Sequence, residues 1–180
     1  MSCVKRIPLL IALLLACLLP GQSQERMADV NDGVVTGSLT ELRTRRHVLL
    51  LVRRSAVIDS RGQARSILNE VYRAGAEPPQ HFARIYNTIA GRLNKYMVKY
   101  RSISAVRDIS NAEFIVFFNL LEYRWPLGHP YAYGEMFVIL NERSGNGQPR
   151  IIWKTRKSPI SVEDAINELI RDLKDARGEG

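Results

Sequence analysis

Between residues 112 and 155 the chain passes through three β-forming stretches in succession, which restricts the fold to one built on an antiparallel meander. The first, 114–121, is apolar at both alternate positions and broken only by Asn119. A strand of that kind is covered on both faces and belongs in the middle of a sheet. Asn119 then needs hydrogen-bond partners inside the protein. A turn, Trp125-Pro126-Leu127-Gly128-His129-Pro130, leads to a second stretch over 131–141, where Glu135 sits among apolar neighbours. A glycine-rich loop, 143–148, leads to the third, 149–155, which opens on Pro149 at a position that need not donate a hydrogen bond.

The flanking sequence supplies the remaining elements. Five consecutive apolar residues, 48–52, predict a further strand bracketed by Arg45-Arg46 and Arg53-Arg54. Ala64, Ile67, Leu68 and Val71 recur at helical spacing, and Gly75 and Pro78-Pro79 end that pattern. Phe82, Ile85, Ile89, Leu93 and Met97 mark a longer helix over 80–100, with Arg84, Arg92, Lys95 and Lys99 mostly off the apolar stripe. The helix is either a basic face for a membrane or nucleic acid or, as the ordinary spacing of its stripe favours, a core helix. Residues 102–107 alternate weakly, as in a short strand. Ser161, with Asp164 three residues on, caps a last helix whose stripe is Val162, Ala165, Ile166, Leu169, Ile170 and Leu173, and the tail from Arg177 reads as a frayed end. A strand–helix–strand unit crosses over right-handed and gives a parallel pair, to which the meander adds antiparallel strands. The expected fold is an α+β two-layer sandwich, a mixed, mostly antiparallel sheet of about five strands with helices packed on one face. A doubly apolar central strand then needs cover on the other face, from a partner, a second copy or the amino-terminal segment.

The first residues read as an address. Lys5 and Arg6 precede an apolar run over 7–19, and Gly21 and Ser23 place small residues ahead of a cleavage site after Ser23. That run is shorter than the roughly 20 apolar residues a membrane span needs. Leu14-Leu15-Ala16-Cys17 is a lipobox-like alternative that would anchor an exported chain through Cys17, and an uncleaved anchor is a third reading. Both cysteines, Cys3 and Cys17, lie in this segment, so cleavage after Ser23 leaves a chain without disulfides. The expected organisation is a signal peptide over 1–23, a flexible segment over 24–44 and one α+β domain over 45–177, exported to the periplasm or secreted.

The residues point to binding more than to catalysis. The turn after the first meander strand is apolar and flanked by aromatics, so Tyr123, Trp125, His129, Tyr131 and Tyr133 are the candidate partner contacts. Trp, Tyr and Arg carry most hot-spot energy at protein interfaces. The net charge of +8 favours anionic partners, and Arg45, Arg46, Arg53, Arg54, Lys154, Arg156 and Lys157 form a candidate anion patch. The three histidines, His47, His81 and His129, stand in no metal-binding spacing, and no nucleophile elbow or phosphate-cradling glycine loop occurs. No cofactor and no metal are expected. The leading expectation is a non-catalytic, exported protein-binding or assembly accessory, acting on a protein partner or by self-association. An anionic membrane surface is the alternative partner, and nucleic acid is not expected. A small hydrolase using His129 with Glu135 or Asp108 is the remaining alternative.

Asn111-Ala112-Glu113-Phe114-Ile115-Val116 resembles the Ala-Asp-Tyr-apolar-apolar start of a strand in small exported bacterial domains related to the amino-terminal domain of TolB and to LpoB-like lipoproteins. Glu113 and Phe114 stand where that group has Asp and Tyr. Ile151-Ile152-Trp153-Lys154 is similar to its later apolar-apolar-Trp strand, and the closing amphipathic helix follows in the same order. The resemblance covers residues 46–173 and implies a non-catalytic envelope module that docks other proteins, with no catalytic residue to carry over.

Overall fold

The apolar run 48–52 and the meander assemble into one sheet. The computed structural model describes residues 34–54, 63–73, 82–124, 131–142 and 147–179. These belong to a single unit, Asp32–Gly180, so the expected signal segment lies outside the described residues. The strands are β1 (His47–Arg53), β2 (Ser104–Ala105), β3 (Phe114–Arg124), β4 (Tyr131–Leu140), β5 (Arg150–Lys154) and β6 (Ile160–Ser161). Their order is β2-β1-β3-β4-β5, with the two-residue β6 also paired to β4. β1 runs parallel to β2 and β3, and the other pairs are antiparallel. The expected α+β sheet is therefore present, with β3 at its centre, buried on both sides from Phe114 to Leu120.

Among the described residues three α-helices pack against it: α1 (Gln63–Arg73), α2 (Ala83–Tyr100) and α3 (Val162–Arg177). They do not share one face, which corrects the sequence expectation. Ile85, Ile89 and Leu93 of α2 and Ile166 and Leu169 of α3 cover Leu50, Val116, Phe118 and Val138. Ile67 and Val71 of α1 cover the opposite face, over Leu51, Ile115, Phe117 and Ile139. The reason is the one that centred β3, because a strand apolar at both parities needs cover on both sides. The rings of Phe117 and Phe137 stack across the β3–β4 pair with centroids 6.2 Å apart.

Residues 34–44, read from sequence as part of a flexible segment, are a strap bound to the sheet. Val34 is buried on the α1 face, whereas Leu39 and Leu42 are buried on the α2–α3 face. Between them the chain rounds the outer edge of β5, where Thr36 N donates to Ile151 O at 2.8 Å. Gly37 makes the crossing, since a Cβ there would overlap the Glu41 carboxylate and the Arg150 guanidinium and lie 2.7 Å from Ile152 Cγ2. Ser38 caps the 3-10 helix η1 (Leu39–Thr44) in a box with Glu41. Glu41 in turn pairs with Arg150 of β5. The hydrogen bond from Arg150, together with its charge, holds the Glu41 carboxyl below its ordinary pKa against the effect of burial.

Two further polar locks fix the layers. Buried Asn141 donates to Ile109 O (2.8 Å) and Ala112 O (2.7 Å) and accepts from Tyr72 of α1 (2.9 Å), which ties that helix to the end of β4. The tail after α3 is docked where fraying was expected. Arg177 reaches Arg45 O at 3.0 Å and Ser102 O at 3.1 Å, and Glu179 pairs with Tyr96 of α2. Burial and that carboxylate push the Tyr96 phenol well above its ordinary pKa. At the other end of α3, Ser161 Oγ accepts from Asp164 N at 3.1 Å, the cap the sequence predicts.

Candidate functional site

The register of the sheet produces an arm. β1 stops pairing with β3 at Arg53 opposite Asn119, and Phe137 opposite Lys154 is the last β4–β5 pair toward that end. Beyond those points residues 120–124 and 131–135 continue as a hairpin, flanked among the described strands only by β6, opposite Tyr133 and Gly134. A bulge between Leu120 and Glu122 shifts the pairing by one residue. Gly134 lies beside it, because a Cβ there would overlap Asn119 O and meet the Phe118 ring at 2.9 Å. An extra residue in one strand re-aims every side chain after it.

That shift places the aromatic candidates. Past the bulge Glu122 faces Tyr133, Tyr123 faces Ala132 and Arg124 faces Tyr131. Residues directly opposite share a sheet face. Tyr131 and Tyr133 follow the parity of Phe137 and lie on the α1 side, whereas Tyr123 follows Ala132 and lies on the α2–α3 side. Tyr123 and Tyr131 are 41% and 44% exposed. The Arg124 guanidinium stands 4.4 Å from the centroid of the Tyr133 ring, and its Nε donates to Glu122 Oε1 at 2.8 Å. A cation held over an aromatic face contributes about 0.5–1 kcal/mol at an exposed site. The arm thus presents two exposed phenols on opposite sides of a braced ribbon. Trp125 and His129 lie outside the described residues.

At the root of the arm the α1 face turns polar. Arg53, Asn119 and Glu135 stand side by side across β1, β3 and β4. Arg53 is only 7% exposed, and its Nη1 donates to Val52 O at 2.9 Å. Burial lowers the pKa of that guanidinium, and the charge of Glu70 on α1 opposes the shift. Asn119 is buried and partnered, as a polar residue in that strand must be. The row belongs to the packed interior. The carboxylates named for a hydrolase lie apart, with Asp108 ahead of the first residue of β3 and Glu135 beside the arm. Glu135 pairs with Asn119, so roughly 17 Å of extended strand separate it from the start of β3. Among the described residues no group of three or more His, Cys, Asp and Glu side chains is placed to hold a metal ion. No helix among them is long and apolar enough to cross a membrane.

The seven bases of the candidate anion patch are not brought together. Arg45 and Arg46 stand at the start of β1, where Arg45 is 3.9 Å from Glu113, and Arg53 and Arg54 stand at its end. About 20 Å of strand lie between the two pairs. Arg156 is engaged by Asp172 at 2.9 Å and Glu168 at 3.9 Å of α3. Lys154 ends β5 and has an interaction of its own, and Lys157 is exposed. The base-rich surface that sequence reading left undecided is the outer side of α2. Arg84, Arg92, Lys95 and Lys99 are all exposed there, along one flank of the buried Ile85, Ile89 and Leu93.

No family model matches the chain, so the likeness to the TolB amino-terminal and LpoB-like group rests on the short motifs alone. No curated protein matches it either. Among solved structures the chain is similar to a dodecamer of a PelC point variant from Paraburkholderia phytofirmans, at 12% identity and a TM-score of 0.31. That match covers 79% of this chain and 91% of the other. A likeness of this order decides neither family nor role.

Proposed function

We propose that the chain is an exported, non-catalytic docking module that engages a protein partner, or a second copy of itself, through the β3–β4 arm. The observation that carries this reading is the exposure of Tyr123 and Tyr131, at 41% and 44%, on opposite sides of a hairpin extending past its neighbours. A tyrosine offers a large contact area with few rotatable bonds to freeze, so an exposed pair on a braced ribbon suits recognition. The basic, apolar and small-residue segments of the first 23 residues support export.

Photo-crosslinking in the producing cell tests the reading. A photoreactive residue at position 123 or 131 should give a discrete adduct, of twice the chain mass if the partner is a second copy. The same residue at the exposed Asn167 on α3 should give none. Tyr123→Ala should abolish the adduct formed from position 131. Adducts of equal intensity from all three positions, or from position 167 alone, would refute the arm as the contact surface.

A further inference from the structure

We propose that the outer face of α2, continued by Arg101 and Arg46, docks on an anionic phospholipid bilayer. This goes beyond the role of the arm and does not depend on it. Residues 80–107 contain Arg84, Arg92, Lys95, Lys99, Arg101 and Arg107 and not one Asp or Glu, in a chain whose net charge is +8. At about 100° per residue, positions 84, 92, 95 and 99 fall in one narrow stripe roughly 22 Å long. All four are exposed, and among the described residues none of the six bases forms an ion pair. Lys99 instead lies over the ring of its neighbour Tyr100, 5.0 Å from the centroid.

A merely solvated helix face has no need of this pattern. Such faces usually interleave opposite charges, which stabilise the helix at spacings of three and four. Here Arg92 and Lys95 are three apart, Lys95 and Lys99 are four apart, and both pairs repel. A second cost sits on the same side. Gly91 occupies the middle of the helix with nothing within 4 Å of where its Cβ would be, so no packing inside the fold calls for it. Beside the stripe, on the side away from the core, Val98 is 68% exposed, well above Tyr123 and Tyr131. Past the helix end Ser104 N donates to Arg46 O at 2.7 Å, which brings exposed Arg46 near the segment that carries exposed Arg101.

The chemistry of the face favours a bilayer over the other polyanions. Single-stranded nucleic acid is held by bases stacked on exposed aromatics. The tyrosines of α2 do not offer that, since Tyr96 is buried and Tyr86 and Tyr100 are half-buried against the core. A bilayer presents a plane of phosphates to a straight row of long basic side chains and a boundary region that accepts Val98.

The test uses the full chain with vesicles of phosphatidylcholine alone or with about one-third phosphatidylglycerol, in low salt and in ~0.5 M salt. Lys5 and Arg6 beside the apolar run are present in every variant, so the comparison is the change in preference between wild type and variant. The wild type should partition more strongly to anionic vesicles, and salt should weaken that preference. A variant with Arg84→Gln, Arg92→Gln, Lys95→Gln and Lys99→Gln keeps good helix formers and should lose the preference by on the order of 10²-fold or more. Should that variant fail to fold, Arg46→Gln with Arg101→Gln, both outside the helix, should lower the preference several-fold. Equal binding to both vesicles, a salt-independent preference, or a folded variant that keeps the wild-type ratio would overturn the proposal. Tighter binding of a single-stranded oligonucleotide than of anionic vesicles, lost in the fourfold variant, would assign the face to nucleic acid and overturn it as well.

Discussion

Glu113→Gln is the substitution whose effect the structure states most sharply. Glu113 Oε2 accepts from Arg46 N at 2.6 Å and from His47 N at 2.9 Å, where the chain enters β1. Glu113 N donates to His47 O at 2.9 Å, so this one residue sets β1 and β3 side by side. Burial alone would raise its pKa. The two amide hydrogen bonds, with smaller contributions from His47 and Arg45, outweigh burial and hold the carboxyl below its ordinary value of 4.5. A depressed carboxylate stabilises the fold fully above its unfolded pKa, and that stabilisation is lost as pH falls through the folded value. Gln keeps an oxygen for the amides but removes the charge. Two charge-assisted hydrogen bonds then become neutral ones, a loss of about 1–2 kcal/mol after allowing for partial exposure. Urea unfolding at pH 7 should show a lower midpoint for Glu113→Gln with an unchanged slope. As the pH falls through the folded-state pKa the wild-type carboxyl becomes neutral, and the two midpoints should draw together. Equal midpoints at pH 7, or a gap that persists undiminished in acid, would refute the account.

Two glycines give predictions of opposite sign. Gly134→Ala puts a methyl group into Asn119 O, a backbone atom that cannot swing away, and should destabilise by about 1–3 kcal/mol while speeding amide exchange along the arm. Wild-type stability in denaturant would contradict the close approach of β3 and β4. Gly91→Ala adds a methyl group to open space on the outer face of α2 and should stabilise by about 1 kcal/mol, visible as a higher melting temperature. A lower one would mean that the face is not open.

The strands were legible because a run apolar at both parities has few alternatives to a buried strand, and β1 and β3 appear where such runs occur. α3 was legible from its cap and its stripe together. Which face of the sheet each helix takes was not, because helical period marks the apolar side of a helix and says nothing of where that side lands. The bulge was equally silent. Leu120-Leu121 is a pair of identical side chains, so an extra residue there leaves no break in alternation, yet it decides that Tyr123 and Tyr131 point opposite ways. The strap did carry a signal that the reading passed over: Ser38-Leu39-Thr40-Glu41 spells a capping box inside an otherwise polar stretch. At the candidate surfaces composition was informative and adjacency was not. The two arginine pairs around β1 are neighbours in sequence and lie a strand length apart. The base-only content of α2, by contrast, was countable from the sequence, and its spacing put those bases on one side.

The strap has a consequence for how copies of this chain meet. An uncovered border strand is a template on which a second sheet can grow, and extended aggregates begin there. At β5 the acceptor on Ile151 is already taken by Thr36, and the Glu41–Arg150 pair clasps the crossing. A foreign strand would have to unbuckle that clasp before it could add. At the far border β2 offers a template only two residues long. Ordered growth by strand addition is thus discouraged at these two margins, unlike the β3 side of the arm, which no described strand flanks.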